Sequence, residues 1–324
     1  MKQTQRLALV NRRYLRIKIF QALYAYYRTE GADLQKLERE TFESINKLFT
    51  LYLYLIRLVM DMEVVAREMI DQNKKKQLPT REDLNPNMRF VENRVFAILN
   101  QNASLEQMLE RSKISWAEEH DDLRRIFKQF RTEDAYNLYM AREEAGFEVD
   151  KEILVTLFSE HLGLNEILHA ALEEKDIYWQ DDLPVAAIAL IKTIQNLPDF
   201  DTSNTSILAD VYKDKQEDQA FAKELLRKTV EFGADYEVLI SSKADNWESE
   251  RIALLDMILM KMALCELEHF PTVPVKVTLN EYIELAKVYS TPKSKVFING
   301  VLDKLVADFK NDGRISKRGR GLME

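Results

Sequence analysis

The chain has 324 residues, of which 46% are hydrophobic and 31% are charged, a balance that excludes a disordered protein. A single cysteine, Cys265, excludes an internal disulfide framework and fits a reducing, cytoplasmic environment. Neither a secretory signal nor an apolar run that could span a membrane is expected. The net charge of −8 excludes a bulk nonspecific nucleic-acid binder. Residues 1–29 nevertheless carry seven Lys or Arg and no acid, which indicates either a local basic patch or a solvated tail.

Helices are predicted along the whole chain, because only 8 Gly and 7 Pro interrupt it. Apolar residues at helical spacing predict a first helix over 11–28 and a long helical stretch over 34–73. One helix is predicted over 87–101, and the next is expected to begin at Ser104, with Gln107 completing a capping box. Pro and Gly positions and apolar periodicity predict the later helices over 116–131, 132–144, 149–161, 164–173, 181–195, 213–232, 235–242, 277–289 and from Lys293 onward.

Motifs for catalysis are missing from the sequence. There is no GxxxxGK[ST], no GxGxxG after a strand, no CxxC, no GxSxG and no HExxH. The pair His120-Asp121 is found in metal phosphohydrolases, but the additional His and Asp ligands of that chemistry are missing. Cys265 lies among apolar residues and is predicted to be a core residue. We therefore expect no catalytic residue, metal site or cofactor.

The predicted first helix carries the clearest candidate for nucleic-acid binding. Arg12 and Arg16 are four residues apart and share one helix face, with Arg13 beside them. No acidic residue lies nearby in the sequence, so the arginines are expected to be free of acidic partners. Guanidinium groups bind phosphate and stack on bases, and Tyr14 could stack on a base as well. This spacing is a weak signal by itself.

The segment Ser290–Asn299, STPKSKVFIN, is the second candidate. A helix N-terminus presents unpaired N–H groups and a positive dipole that favour phosphate. Lys293 and Lys295 add positive charge there, and Ser294 could cap the helix. Phe297 is either a core residue or a stacking surface.

These two segments belong to a longer pattern that resembles the NusB transcription antitermination family. The first helix contains the arginine cluster followed by Gln21-Ala22-Leu23-Tyr24, and the resemblance covers about 11–30 and 217–309. The C-terminal part of the pattern comprises Trp247, Arg251, Asp256, Glu266-Leu267, Pro274, Asn280-Glu281, Glu284-Leu285-Ala286-Lys287, Ser294, Phe297 and Asn299-Gly300-Val301-Leu302-Asp303-Lys304.

The resemblance implies an all-α, non-enzymatic RNA-binding protein. It implies that the protein pairs with NusE, a small-subunit ribosomal protein, and binds boxA-type single-stranded elements of nascent ribosomal RNA. Through that pair it would act indirectly on the RNA polymerase elongation complex. The expected organisation is a NusB-like helical bundle formed by 1–30 plus 214–313, an inserted all-α domain over 31–213, and a basic flexible tail over 314–324.

The resemblance also implies roles for individual residues. Two sets are implied to contact RNA, namely Arg12, Arg13 and Arg16, and Ser294, Lys295 and Phe297. The chain departs from the family by having Lys293 at an often acidic position and Ile17-Lys18 after the third arginine, and we expect Lys18 and Lys293 to strengthen phosphate binding. NusE contacts are implied for Tyr24, Glu250 and Asp256.

The sequence leaves two alternative functions. NusB-like domains also occur at the front of ribosomal-RNA cytosine methyltransferases, but the required glycine-rich loop and catalytic cysteine of a separate α/β domain are missing. The other alternative is a helical protein–protein scaffold that acts through 31–213 without specific RNA binding. The basic face of the first helix favours RNA binding over the scaffold.

Overall fold

A computed structural model describes residues 7–142, 146–200, 202–244 and 252–322. The predicted all-α fold is confirmed, because this part of the chain forms 15 α-helices and no strand, apart from one isolated bridge between Ala8 and Asp210. In chain order the helices are α1 (Arg12–Arg28), α2 (Leu34–Lys74), α3 (Arg81–Leu84), α4 (Arg94–Asn100), α5 (Ala103–Arg111), α6 (His120–Phe130), α7 (Asp134–Ala141), α8 (Phe147–Leu157), α9 (Glu166–Lys175), α10 (Leu183–Asn196), α11 (Lys215–Glu231), α12 (Gly233–Ala244), α13 (Leu254–His269), α14 (Val275–Tyr289) and α15 (Ser294–Asn311).

The chain divides into two compact units. The first comprises Met1–Leu9 with Asn46–Lys213, and the second comprises Val10–Ile45 with Asp214–Glu324. The second unit therefore joins the first helix to the C-terminal helices. The assignment of 31–213 as an insertion stays a prediction. None of the helices described is both long and apolar enough to cross a membrane.

The first unit is built around aromatic side chains. The ring of Phe90 lies 5.0 Å from that of Phe127, and Tyr136 lies 5.4 Å from Phe130. Such tilted and edge contacts contribute beyond the area they bury. The indole of Trp116 is buried and donates a 2.9 Å hydrogen bond to the carbonyl oxygen of Tyr54.

Several predicted helix starts in this unit are displaced; the helix expected from Trp116, for example, begins at His120. Two of the displacements have a cause in the cap residue. The helix predicted over 87–101 begins only at Arg94, because the side chain of Asn93 caps it by accepting from the Val95 N–H at 2.9 Å. The next helix begins at Ala103 rather than Ser104, because the side chain of Asn102 accepts from the Leu105 N–H at 3.0 Å. Both residues are buried and also bind distant backbone carbonyls, which local sequence patterns do not reveal.

The core of the second unit is α13. Its residues from Ile258 to Leu267 are nearly all inaccessible to solvent, and it contacts α1, α11, α12, α14 and α15. A helix that is apolar around most of its circumference is typically central in its domain. Beyond α15, Arg314 binds Glu268 at 3.0 Å and the Arg318 N–H donates to the Pro271 carbonyl at 2.9 Å, within the segment predicted as a flexible tail.

Candidate nucleic-acid interface

The arginines of α1 are paired with acids from distant parts of the chain. The side chain of Asn11 caps α1 by accepting from the Tyr14 N–H at 2.9 Å, so the cluster lies in the first turn and a half of the helix. Arg12 binds Glu217 on α11, Arg13 binds Glu281 on α14 and Arg16 binds Glu266 on α13. The expectation that these arginines are free of acidic partners is wrong, because the partners lie more than 200 residues away in sequence.

The Arg16 side chain lies in the core. Its Nε and Nη2 atoms donate to the two carboxylate oxygens of Glu266, both at 2.7 Å, and the two side chains are only 3% and 0% exposed. Glu266 also accepts from the Thr278 hydroxyl at 2.9 Å and the Tyr282 hydroxyl at 3.1 Å. Burial opposes the charge of Arg16, but the hydrogen bonds to Glu266 raise its pKa above the ordinary value. The arginine expected to contact RNA is thus placed where a phosphate cannot reach it.

Lys18 lies in the core as well. Its residue is only 3% exposed, and its ammonium group lies 5.5 Å from the centre of the Tyr14 ring. The position was expected to add phosphate contact, but α1 turns this side chain toward the protein interior. Lys18 and Arg16 therefore support the helix rather than present charge to solvent.

Arg12 and Arg13 reach the surface. Arg12 is 31% exposed in its side chain, binds Glu217 at 2.8 Å and Asp218 at 3.1 Å, and lies 4.2 Å above the Phe221 ring. Burial lowers the pKa of Arg12, and the two acids oppose that effect. Arg13 is 51% exposed and donates to both Glu281 oxygens, at 2.9 and 2.8 Å, which raises its pKa. Both guanidinium groups keep surface that a phosphate could contact.

A network of hydroxyl groups fixes the segment between α14 and α15. The Ser290 hydroxyl donates to the carboxylate of Asp256 and shares a 2.8 Å hydrogen bond with the Ser294 hydroxyl. Thr291 and Ser294 share a 2.9 Å hydrogen bond. Ser294 is buried and is the first residue of α15, so it does not cap the helix as expected; Lys293 takes the cap position without a side-chain hydrogen bond.

The two lysines of this segment are exposed. Lys293 precedes α15 and Lys295 lies in its first turn, where the helix dipole favours anions. Phe297 is half-buried, one turn into the helix. Of the four residues predicted here, the two lysines are accessible and Phe297 is partly so. Ser294 instead holds the segment between α14 and α15 in place.

The two predicted RNA segments come together around α14. The Arg13–Glu281 pair joins α1 to α14 at one end, and the Phe20 and Tyr289 rings, 5.3 Å apart, join them at the other. Because residue numbers increase from the first contact to the second in both helices, α1 and α14 point in the same direction. A hydrogen bond from Lys287 lowers the pKa of Glu284, and the nearby charges of Arg13 and Lys295 lower it further. Lys287 therefore binds this carboxylate directly, whereas Arg13 and Lys295, from α1 and α15, act on it through their charge.

The residues expected to contact NusE differ in accessibility. Tyr24 is 40% exposed on α1. Asp256 is buried and held by Ser290, so its carboxylate organises the α14–α15 junction. Glu250 lies outside the described residues, as do Trp247 and Arg251.

Several residues of this surface have no role that the sequence predicts. Glu266, Glu281, Glu284 and Lys287 were recognised as parts of the family pattern, but not as partners of the arginines. One signal was present in the sequence, because Glu266 directly follows the apolar run Met262–Cys265 and a buried acid is usually paired with a cation. Lys287 follows Glu284 by three residues on one helix, which permits their ion pair.

His120 and Cys265 are the side chains considered for chemistry in the sequence, and both lie in the described part of the chain. No group of three or more His, Cys, Asp or Glu side chains there could hold a metal ion. Cys265 is buried as predicted, and burial raises the pKa of its thiol to about 12. His120 is bonded to Glu68 at 2.8 Å in the first unit.

Comparison with known proteins gives the family. Residues 185–307 match the NusB family. Three proteins named "Transcription antitermination protein NusB" are similar to the chain. The Salinibacter ruber protein is 47% identical over 103 residues, which cover 32% of this chain and 64% of the relative. The Chloroherpeton thalassium protein is 40% identical over 104 residues, which cover 32% and 49%.

The third relative is covered almost completely. The Listeria monocytogenes protein is 31% identical over 122 residues, which cover 37% of this chain and 94% of the relative. The chain thus spans 64% and 49% of the first two relatives and nearly all of the third. No solved structure matches the chain. The similarity to nearly the full length of one relative, together with the match over residues 185–307, shows that the chain belongs to the NusB family.

Proposed function

We propose that this protein is an RNA-binding transcription antitermination factor. With NusE, it binds boxA-type elements of nascent ribosomal RNA and supports the transcription and processing of that RNA. Family membership supports this function, as do the names of the three relatives. The second unit, formed by the first helix and the C-terminal helices, is the proposed RNA-binding part.

The observation that carries the proposal is that Arg13 of α1 and Lys287 of α14 bind two acids three residues apart on α14, Glu281 and Glu284. The exposed Lys295 of α15 is close enough for its charge to act on Glu284. Arg12 extends this basic surface along α1, and Lys293 extends it before α15. The proposed mechanism is binding without catalysis. These cations hold the phosphates of a single strand, and exposed bases stack on accessible side chains such as Phe297.

The buried residues of the predicted site have a supporting role in this proposal. Arg16 and Lys18 hold α1 in place, and Ser294 holds the start of α15, so that the exposed cations keep their relative positions. NusE is proposed to contact Tyr24, with Glu250 as a further candidate from the family pattern, whereas the buried Asp256 supports the fold. The acidic chain suits a basic ribosomal protein as partner.

The experiment is a titration of a labelled boxA-containing RNA, with and without NusE. The wild type is expected to prefer boxA RNA to a scrambled RNA of equal length, and NusE is expected to tighten binding. Replacing Arg12 and Arg13 by alanine should weaken binding about tenfold or more, since two phosphate contacts are lost. Equal affinity for boxA and scrambled RNA, unchanged by NusE, would contradict the proposal.

A second candidate function is a protein–protein scaffold that acts through 31–213. It is favoured by large apolar side chains that are exposed in the first unit, including Leu164 at 70%, Ile177 at 83% and Ile188 at 54%. Exposed apolar side chains are typical of binding surfaces when they cluster. If the titration shows no preference for boxA RNA, the partners of these residues become the next subject of measurement.

A further inference from the structure

The acids on the exposed side of α14 stand within the proposed RNA surface. Glu281 and Glu284 are three residues apart and share one face of the helix. Glu281 is 16% exposed and holds Arg13 through two hydrogen bonds, so it belongs to the framework of the site. Glu284 is 46% exposed and is bonded to Lys287 of the same helix, which is 44% exposed. Of these two acids, Glu284 is the one that offers its charge to solvent.

The carboxylate of Glu284 would repel a phosphate that approaches Lys287 and compete with it for that cation. The Lys287 ammonium group donates a hydrogen bond to this carboxylate. This hydrogen bond lowers the pKa of Glu284, and the charges of Arg13 and Lys295 lower it further. A phosphate that binds Lys287 must displace the carboxylate of Glu284 and approach a like charge. Both effects act on the RNA backbone, and phosphate contacts carry no sequence information. They therefore weaken the binding of all RNA sequences alike.

We infer that Glu284 is a built-in competitor for RNA phosphate, which holds down the affinity of this surface for RNA of any sequence. The inference rests on the proposed function, because it concerns the same surface. It assigns to Glu284 a role in setting affinity that Glu281 does not have, since Glu281 is committed to Arg13. In an RNA-rich environment, such a residue limits occupancy by chance sequences.

The test compares Glu284→Gln with Glu40→Gln as a matched control. Glu40 is 45% exposed and pairs with Lys36 four residues before it on α2, so the control removes the same charge from a similar helical pair. Fluorescence anisotropy is measured with boxA RNA and with scrambled RNA over a series of salt concentrations. Glu284→Gln is expected to raise the affinity for both RNAs about two- to fivefold, which is the range of an exposed charge interaction. It should also make the salt dependence steeper by up to about 0.7 in log–log slope.

The outcomes separate the inference from the proposed function. If the wild type binds boxA RNA and Arg13→Ala weakens it, but Glu284→Gln behaves like Glu40→Gln, the inference is overturned and the proposed function stands. If Glu284→Gln raises the affinity for boxA RNA alone, the residue contributes to sequence recognition and the inference is also overturned. If the wild type binds neither RNA, both fail. A Glu284→Lys variant should tighten binding further than Glu284→Gln, because it adds a cation where a carboxylate was.

Discussion

The guanidinium group of Arg16 and the carboxylate of Glu266 form two parallel hydrogen bonds of 2.7 Å inside the core of the second unit. The two residues are 250 positions apart in the chain, so the pair fastens the first helix to the central C-terminal helix. Thr278 and Tyr282 occupy further sites on the same carboxylate. An arginine that the sequence predicts to contact RNA is thus part of the framework that positions Arg12 and Arg13.

Replacing Arg16 by methionine should lower the free energy of unfolding by about 3–5 kcal/mol, because the charge of Glu266 is left buried without its partner. Replacing the exposed Arg13 by methionine should cost about 1 kcal/mol or less. Urea unfolding of both variants measures the difference. In a double-mutant cycle, adding Glu266→Gln to Arg16→Met should cost far less than Glu266→Gln alone. Equal losses for Arg16→Met and Arg13→Met would contradict this account.

Lys317 should make the stability of the protein depend on pH. Its ammonium group donates to the Phe270 carbonyl at 3.0 Å, and burial lowers its pKa to about 8 from an ordinary value of 10.5. Between these values the unfolded chain binds the proton and the folded chain does not, so the free energy of unfolding rises with pH.

The Lys317→Met variant isolates this effect. The free energy of unfolding of the wild type should rise with pH relative to that of the variant. The rise should be below about 1.4 kcal/mol per pH unit, because the Lys317 ammonium group is partly exposed. Urea unfolding between about pH 8 and 10 measures it before most tyrosines titrate. Identical pH profiles for the two proteins would show that the Lys317 ammonium is not perturbed by folding.

Asn102 should be important for the stability of the first unit. It is fully buried, caps α5, and donates to the carbonyl oxygens of Thr202 at 2.7 Å and Thr205 at 2.9 Å. Asn102→Ala should cost about 2–4 kcal/mol, since two carbonyl groups lose their donor as well as the cap. The control is Asn165→Ala, which removes the cap of α9 and should cost about 1 kcal/mol. Hydrogen exchange of the amides in each helix would measure both, and equal effects would disagree with the role given to Asn102.

Tyr24 and Asp256 should respond differently to replacement. Tyr24 is exposed, so Tyr24→Ala should weaken NusE binding about tenfold while leaving the free energy of unfolding nearly unchanged. Asp256 is buried and bonded to Ser290, so Asp256→Ala should lower the free energy of unfolding by about 1–3 kcal/mol. Calorimetric titration with NusE and urea unfolding check the two expectations. Full NusE affinity in Tyr24→Ala would exclude the proposed contact.

Local patterns predicted much of the fold. The first helix was predicted over 11–28 and is observed at Arg12–Arg28, because its periodic apolar residues and its Asn11 cap are local signals. The start of α4 was missed, because Asn93 is held by the Asp150 carbonyl at 2.8 Å, a contact 57 residues away. Propensity and capping patterns do not contain such tertiary contacts.

The candidate site likewise combines features that local patterns predict with features that depend on tertiary contacts. The arginine cluster and the lysines near α15 could be found from their charge and helical spacing. The burial of Arg16 and Lys18 could not, because it depends on which face of α1 packs against α13. The acids that pair with Arg12 and Arg13 come from α11 and α14, and only folding brings them to α1.

The central claim is that Arg13 and Lys295, from opposite ends of the chain, contribute to one RNA surface. The most direct measurement is the affinity of the wild type, Arg13→Ala, Lys295→Ala and the double variant for boxA RNA over a salt series, with Lys36→Ala as the exposed control on α2. Each single variant should bind about three- to tenfold more weakly and lose about 0.7 of the salt slope, and the double variant should lose about twice as much. Affinity and slope that match those of Lys36→Ala in all three variants would contradict the claim.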